Sequence, residues 1–181
     1  MKALAILGSR NSKGLTAQAA EALLAGLPSG TDVKEMVFLP EMQIERCRQC
    51  DEHGWGICRS AGKCVIDDDF AELVDRIARA DVVVFANPVY WGDLSESMRA
   101  FLDRLRRTCV HEDGKKVIEG KRAFGICMAG GSGGGTAECI VSLEKVLKRC
   151  GFDVVDMVPV RRQNHAAKME ILKTAGGVLL T

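Results

Sequence analysis

Four cysteines crowd together in this 181-residue chain, at Cys47, Cys50, Cys58 and Cys64, in the spacing C-x2-C-x7-C-x5-C. Thiolates are ligands for iron–sulfur clusters and for zinc, and a C-x2-C pair brings two sulfurs to one centre. The spacing leaves three states open: a [4Fe–4S] cluster, a zinc ion, or free thiols with an occasional disulfide. A second chemical pattern lies near the start. A short apolar run from Leu4 ends at Gly8, and Ser9-Arg10-Asn11-Ser12-Lys13-Gly14-Leu15-Thr16 leads into a helical pattern. A loop between a strand end and a helix start favours an anion, because free backbone N–H groups and the helix dipole face it. Ser9, Ser12 and Thr16 add hydroxyls, and Arg10 and Lys13 add positive charge. Phosphate is the economical ligand, and an ordinary polar turn with an N-cap is the alternative. The loop fits neither G-x-G-x-x-G nor G-x-x-x-x-G-K-[ST], so it is not a dinucleotide fingerprint or a Walker loop.

The elements that must position these residues follow from hydrophobic periodicity. A first strand is expected at about Lys2 to Leu7. A helix follows from about Gly14 to Leu27, with Leu15, Ala19, Ala22, Leu23, Gly26 and Leu27 on one face. Pro28-Ser29-Gly30 breaks it. Thr31 to Leu39 reads as a second strand. From Pro40 to Ile66 no period is sustained, and a loop this long in a compact domain is usually functional. Asp67-Asp68-Asp69 reads as capping and first-turn acids for a helix to about Ala80. The apolar, β-branched run from Asp81 to Asn87 suits a central strand covered on both faces. Pro88-Val89-Tyr90-Trp91-Gly92 is a loop, and a helix resumes from about Ser95 to Arg107. Cys109 to Gly120 reads as a polar connection. A fourth strand spans Arg122 to Met128, a helix runs from Thr136 to Cys150 and stops at Gly151, a fifth strand spans Asp153 to Val160, and a short helix covers Ala166 to Ala175.

Strands alternating with helices predict an α/β fold, a parallel sheet with right-handed crossovers and helices on both faces. Five strands suit the flavodoxin-like three-layer order 2-1-3-4-5, with a ligand crevice at the carboxyl ends of strands 1 and 3. The length suits a single domain over 1–181 with a cysteine-rich insertion at about 40–66. Hydrophobic residues make up 47% and charged residues 27%, so the chain is globular. The formal net charge of +1 gives no electrostatic case for nucleic acid or an anionic membrane. No apolar run approaches the roughly 20 residues of a membrane span, and no leader pattern precedes the first strand. A cytoplasmic location is expected, and there a cluster of cysteines suggests metal or redox chemistry more than structural disulfides.

Three loops converge in this topology. One offers phosphate donors. The second, Pro88-Val89-Tyr90-Trp91-Gly92, offers aromatic faces. The third, Gly130-Gly131-Ser132-Gly133-Gly134, lets backbone approach something flat. A phosphate at one end and a planar ring at the other describe a mononucleotide with an aromatic head, and FMN fits. His53, His111 and His165 are scattered and read as solvated surface histidines. Cys109, Cys127, Cys139 and Cys150 read as buried small hydrophobes.

At this point the chain resembles the NADPH-dependent FMN reductase family of flavodoxin-like proteins, especially its iron–sulfur flavoprotein branch. Asn87-Pro88-Val89-Tyr90-Trp91-Gly92 and Phe101-Leu102-Asp103-Arg104 carry the resemblance. Gly8, Ser9, Gly14 and Thr16 match the family's phosphate loop, Arg10 sits one place early, and Leu15 replaces an Asn. The resemblance implies that Ser9, Arg10, Gly14, Leu15 and Thr16 hold the phosphate, that Pro88 to Gly92 lie along the isoalloxazine ring, and that Gly130 to Gly134 approach its other edge. In the cysteine loop His53 stands where the branch has its third cysteine, and Cys58 follows. NAD(P)H as cosubstrate, hydride transfer to the flavin, and passage of electrons to a small acceptor or a redox protein are the implied activity. No catalytic side chain is required for it. A non-enzymatic carrier receiving electrons from a protein donor is the other reading, and the nearly neutral charge argues against the acidic docking surface of a flavodoxin. A homodimer or homotetramer is expected, to cover the flavin edge and the cysteine loop.

Overall fold

The computed structural model describes residues 1–179. Five strands, β1 (Lys2–Leu7), β2 (Val33–Phe38), β3 (Val82–Pro88), β4 (Arg122–Ala129) and β5 (Asp153–Arg161), form one parallel sheet in the order β2-β1-β3-β4-β5. Every residue of β3 is buried, as its unbroken apolar run requires of a strand covered on both faces. The helices are α1 (Leu15–Gly26), α2 (Ile57–Ala61), α3 (Phe70–Arg79), α4 (Glu96–Thr108), α5 (Glu112–Lys116), α6 (Thr136–Cys150) and α7 (His165–Leu179). On one face Ile6 and Phe85 pack with Leu73, Phe101, Leu105 and Leu143 of α3, α4 and α6. On the other, Leu7, Val84 and Ile126 pack with Leu23 of α1 and Leu172 of α7. Alternation along each strand therefore builds two cores, one per face.

Four boundaries differ from the expectations. β3 continues through Pro88, which pairs in register with Met128. The polar connection after α4 contains α5, and the aperiodic loop contains α2. Helix α7 runs on through Gly176 and Gly177, past the expected end at Ala175. Here glycine is required by a close crossing: a Cβ on Gly26 would strike the Lys173 carbonyl, and one on Gly176 would strike the Leu23 carbonyl. Gly26→Ala is expected to force α1 and α7 apart and cost about 1–3 kcal/mol, read as a lower urea midpoint at unchanged slope. An unchanged midpoint would contradict the close crossing.

The Asp67-Asp68-Asp69 run does not cap α3 in the expected way. Asp69 occupies the N-cap position, but its side chain makes no cap bond. Its Oδ2 accepts instead from the Gln43 amide at 2.7 Å, and Asp68 Oδ2 accepts from the Glu45 amide at 2.8 Å. Only Asp68 Oδ1 reaches the helix start, accepting from Phe70 N at 3.1 Å. The acids stitch the two arms of the cysteine loop together.

Candidate functional site

The carboxyl ends of β1 and β3 open onto a cleft of about 950 Å³. Gly8, Ser9, Arg10 and Asn11 form one wall, Val89, Tyr90 and Trp91 another, and Ser95, Glu96 and Ser97 at the start of α4 a third. The strand register makes this meeting obligatory, since β1 and β3 pair to Leu7 and Ala86 and Gly8 N then donates to Ala86 O at 2.9 Å. The first loop folds on itself. Asn11 N donates to Ser9 Oγ at 3.3 Å, Lys13 N donates to Asn11 Oδ1 at 3.0 Å, and Gly14 N donates to Asn11 O at 3.0 Å. Gly14 is the extended N-cap of α1 and supplies no side-chain cap, so the first-turn amides of Leu15 and Thr16 have no capping acceptor from it. Ser12 is exposed in this loop. Thr16 is buried and outside the cleft lining.

Asn87 holds the second loop. It is fully buried. Its Oδ1 accepts from Ser95 N at 3.1 Å and Ser95 Oγ at 3.0 Å, and its Nδ2 donates to Pro88 O at 2.6 Å and to Cys139 Sγ at 3.5 Å. Ser95 in turn caps α4, its Oγ accepting from Met98 N at 3.3 Å. Gly8 is required here, because a Cβ would fall on Ser95 Oγ and Asn87 Oδ1. From this anchor the chain makes a tight turn in which Tyr90 N donates to Asp93 O, and Asp93 N to Tyr90 O, both at 3.0 Å. Trp91 at φ +53° and Gly92 at φ +79° are both left-handed, the signature of a type I′ turn. The turn presents Trp91 fully exposed and Tyr90 55% exposed.

The third loop meets the second from the other side. Trp91, Gly92, Ser132 and Gly134 line a shallower depression beside the cleft. Gly133 N donates to Gly130 O at 3.0 Å, and Gly134 N to Ser132 Oγ at 3.3 Å. Gly135 is left-handed at φ +78°, and a Cβ there would lie 2.6 Å from Gly92 Cα. Gln163, after β5, clamps the loop by donating from Nε2 to Gly131 O and Ser132 O at 3.2 Å each. Gly130 and Gly131 have open space where a side chain would stand.

The four clustered cysteines line one cavity together with Arg48, Lys63, Arg104 and Arg107. Among the described residues no three His, Cys, Asp or Glu side chains are gathered closely enough to hold a metal ion. The four thiols share a wall and are free. Helix α4 secures this loop with two arginines. Arg104 pairs with Asp68 through both carboxylate oxygens, at 2.6 and 2.9 Å. Arg107 Nη1 donates to Gly54 O at 2.6 Å, and its guanidinium lies 4.7 Å from the Trp55 ring centroid.

A family model described as NADPH-dependent FMN reductase matches residues 1–168. The chain belongs to the NADPH-dependent FMN reductase family. It is 30% identical over 152 residues to an iron–sulfur flavoprotein of Archaeoglobus fulgidus, covering 84% of this chain. It spans 64% of that protein's length. Its fold matches an NAD(P)H:quinone oxidoreductase from Methanothermobacter marburgensis with a TM-score of 0.68 at 21% identity, over 98% of this chain and 94% of the other. A flavodoxin from the domain Archaea superposes with a TM-score of 0.58 at 14% identity, over 99% of each chain. The fold is flavodoxin-like.

Three residues not expected to touch the cofactor hold the loops in place: Asn87, which opens the motif Asn87 to Gly92, Ser95 and Gln163. Asn87 stood in the sequence as the last residue of a strand, and its partners are not local. The other four cysteines are buried and pair as thiols: Cys127 Sγ and Cys139 Sγ share a hydrogen bond at 3.2 Å, and Cys109 lies beside Cys150. The hydrogen bond shared with Cys139, and then burial, push the Cys127 thiol up as the partner that keeps its proton, while accepting in that bond lowers Cys139. His53 is exposed as expected. His111 is half-buried, with Nδ1 accepting from Asp113 N at 3.2 Å, and His165 buries Nε2. No described helix is long and apolar enough to cross a membrane.

Proposed function

We propose that this chain is an FMN-dependent NAD(P)H oxidoreductase of the iron–sulfur flavoprotein kind, one flavodoxin-like unit with a cysteine-rich insertion, working in the reducing cytoplasm. One observation carries the reading. The loops at the carboxyl ends of β1 and β3 wall one open cleft, with serine, amide and guanidinium donors at one side and two exposed aromatic rings at the other, and the loop after β4 borders an adjoining depression that shares Trp91. The residues present fit FMN. Ser9, Arg10, Ser12, Gly14, Leu15 and Thr16 would hold the phosphate, largely through backbone N–H groups at the start of α1. Pro88 to Gly92 would lie along the ring, and the loop from Gly130 to Gly134 would close on its other edge. Bound FMN supplies hydride acceptance from a nicotinamide at N5 and release of electrons singly or in pairs.

The chain's own part is to bind and orient. Asn87 fixes the ring loop against α4, and Gln163 fixes the glycine loop. The exposed Tyr90 and Trp91 offer π faces at the rim, where a nicotinamide, a quinone-type acceptor or a redox protein would enter. The cysteine cavity fits an anionic centre, because four thiol ligands share their wall with Arg48, Lys63, Arg104 and Arg107. Cys47, Cys50, Cys58 and Cys64 would hold a [4Fe–4S] cluster, which supplies one-electron exchange. A second copy of the chain would cover the exposed rim, and light scattering that returns a monomer would remove that part of the reading.

The deciding experiment is an absorption spectrum of anaerobically purified protein with iron and zinc analysis, followed by NADH or NADPH under nitrogen. Flavin bands that bleach within seconds are expected, with about four irons per chain from the four-thiolate rule. Failure of either nicotinamide to bleach the flavin leaves a carrier. Absence of flavin after FMN addition overturns the reading. Ser9→Ala and Thr16→Ala are each expected to weaken FMN binding by about tenfold, the worth of one hydrogen bond to a charged group. Unchanged affinity in both would contradict the phosphate placement.

A further inference from the structure

We propose that Arg104 is the positioning residue of the cysteine centre: it ties both arms of the loop and reserves its Nε–H for the Cys64 sulfur as a metal-bound thiolate. The inference rests on the reading of the four cysteines as a metal centre.

The Arg104 side chain is 1% exposed. Nη1 donates to Glu45 O at 3.1 Å and to Asp68 Oδ2 at 2.6 Å. Nη2 donates to Ile66 O at 3.5 Å and to Asp68 Oδ1 at 2.9 Å. The guanidinium carbon lies 4.3 Å from the Phe70 ring centroid. Glu45 stands just before Cys47 and Ile66 just after Cys64, so one side chain grips the loop at both ends of the cysteine run. Four of the five guanidinium N–H groups thus have acceptors. The fifth, on Nε, is buried with no hydrogen-bond partner among the described residues.

A buried charged donor without an acceptor is costly, and such groups in folded proteins call for an explanation. The cavity supplies one, because Arg104 forms part of the wall that also holds all four cysteines. Cys64 shares the cavity wall with Arg104 and stands two residues before Ile66, whose carbonyl accepts from Nη2; the added hold of Cys64 on the Arg104 proton agrees with that placement. A neutral thiol is a weak acceptor. Metal ligation removes the thiol proton and leaves a thiolate, a much stronger one. Groups that hydrogen-bond to metal ligands orient them and set metal affinity, and N–H bonds to cluster sulfurs set its potential.

The test uses the full chain, anaerobically, with 113Cd2+ as probe and 15N-labelled arginine. Thiolate-to-cadmium absorption is expected on loading, together with a downfield shift of the Arg104 Nε–H resonance and a scalar coupling to 113Cd carried through the sulfur. An Arg104 Nε–H signal unmoved by loading overturns the proposal, since a purely structural ion pair would not respond. Absence of thiolate-to-cadmium absorption overturns the metal-centre reading itself, and the proposal with it. Arg104→Lys keeps a charge for Asp68 but has no Nε–H. It is expected to weaken Cd2+ binding about 10–100-fold, and equal affinity in this variant would overturn the positioning role. The wild-type spectrum decides the question if that variant does not fold.

Discussion

Asn87→Leu is expected to cost about 3 kcal/mol of stability and to abolish FMN binding in whatever protein remains folded. The side chain is nearly isosteric, so the loss comes from hydrogen bonds. Leucine leaves Ser95 N and Pro88 O without their partners. Each stranded group costs roughly 1–3 kcal/mol. The Ser95 cap on α4 is weakened as well, since Ser95 Oγ loses the acceptor that orients it. The binding effect follows from position. Asn87 joins the end of β3 to the start of α4 across the turn that carries Tyr90 and Trp91, and Ser97 Oγ donates from the first turn of α4 to Gly8 O at 3.3 Å. Loss of Asn87 therefore releases two walls of the cleft together. Urea unfolding with and without FMN checks it. A stability within about 0.5 kcal/mol of wild type, the range of ordinary surface changes, would mean that Asn87 does not hold the loop.

Asp68→Asn is expected to cost about 3–5 kcal/mol, because it leaves the Arg104 charge buried without its partner. The pair is enclosed, with side chains 1% and 5% exposed. Burial alone would raise the Asp68 carboxyl; the hydrogen bonds from Arg104 and from the Glu45 and Phe70 amides outweigh it and hold it below the usual carboxylate value. A carboxyl whose native value lies below its unfolded value stabilises the fold above the unfolded value. That stability is lost as pH falls through the native one. Wild type should therefore lose stability below about pH 4 more steeply than Asp68→Asn, which has already lost this contribution at pH 7. Parallel slopes for the two proteins between pH 5 and pH 3 (values bracketing the ordinary carboxylate range) would show that Asp68 carries no such linkage.

Much of the fold was legible because its signals are local. The unbroken apolar run of β3 and the alternation of strand and helix patterns are enough to order five strands. What escaped the sequence is what distant partners decide. Gly176 lies past the expected end of the last helix, and only the Leu23 carbonyl shows why glycine is needed there. The five residues of α5 carry no apolar periodicity at all. Asp68 sits where a capping acid should, and only the buried arginine from α4 shows that it belongs to the cysteine loop. In the cleft, the donors and rings were visible as residue types on three loops. Asn87 was visible as the first residue of its motif, but the bonds by which it and Gln163 hold those loops were not, since an amide's bonding partners leave no periodic trace in a chain.

Helix α4 carries one more implication. It runs unbroken from the Ser95 cap at the cleft to Arg104 and Arg107 at the cysteine loop, a rod of about 20 Å at 1.5 Å per residue. Its buried face, from Met98 to Thr108, is expected to open as one unit, as packed elements often do. Its amides should therefore exchange with solvent at a common rate. If steadying one end slows exchange at the other, reciprocity requires that ligands at the two ends favour each other by one common factor.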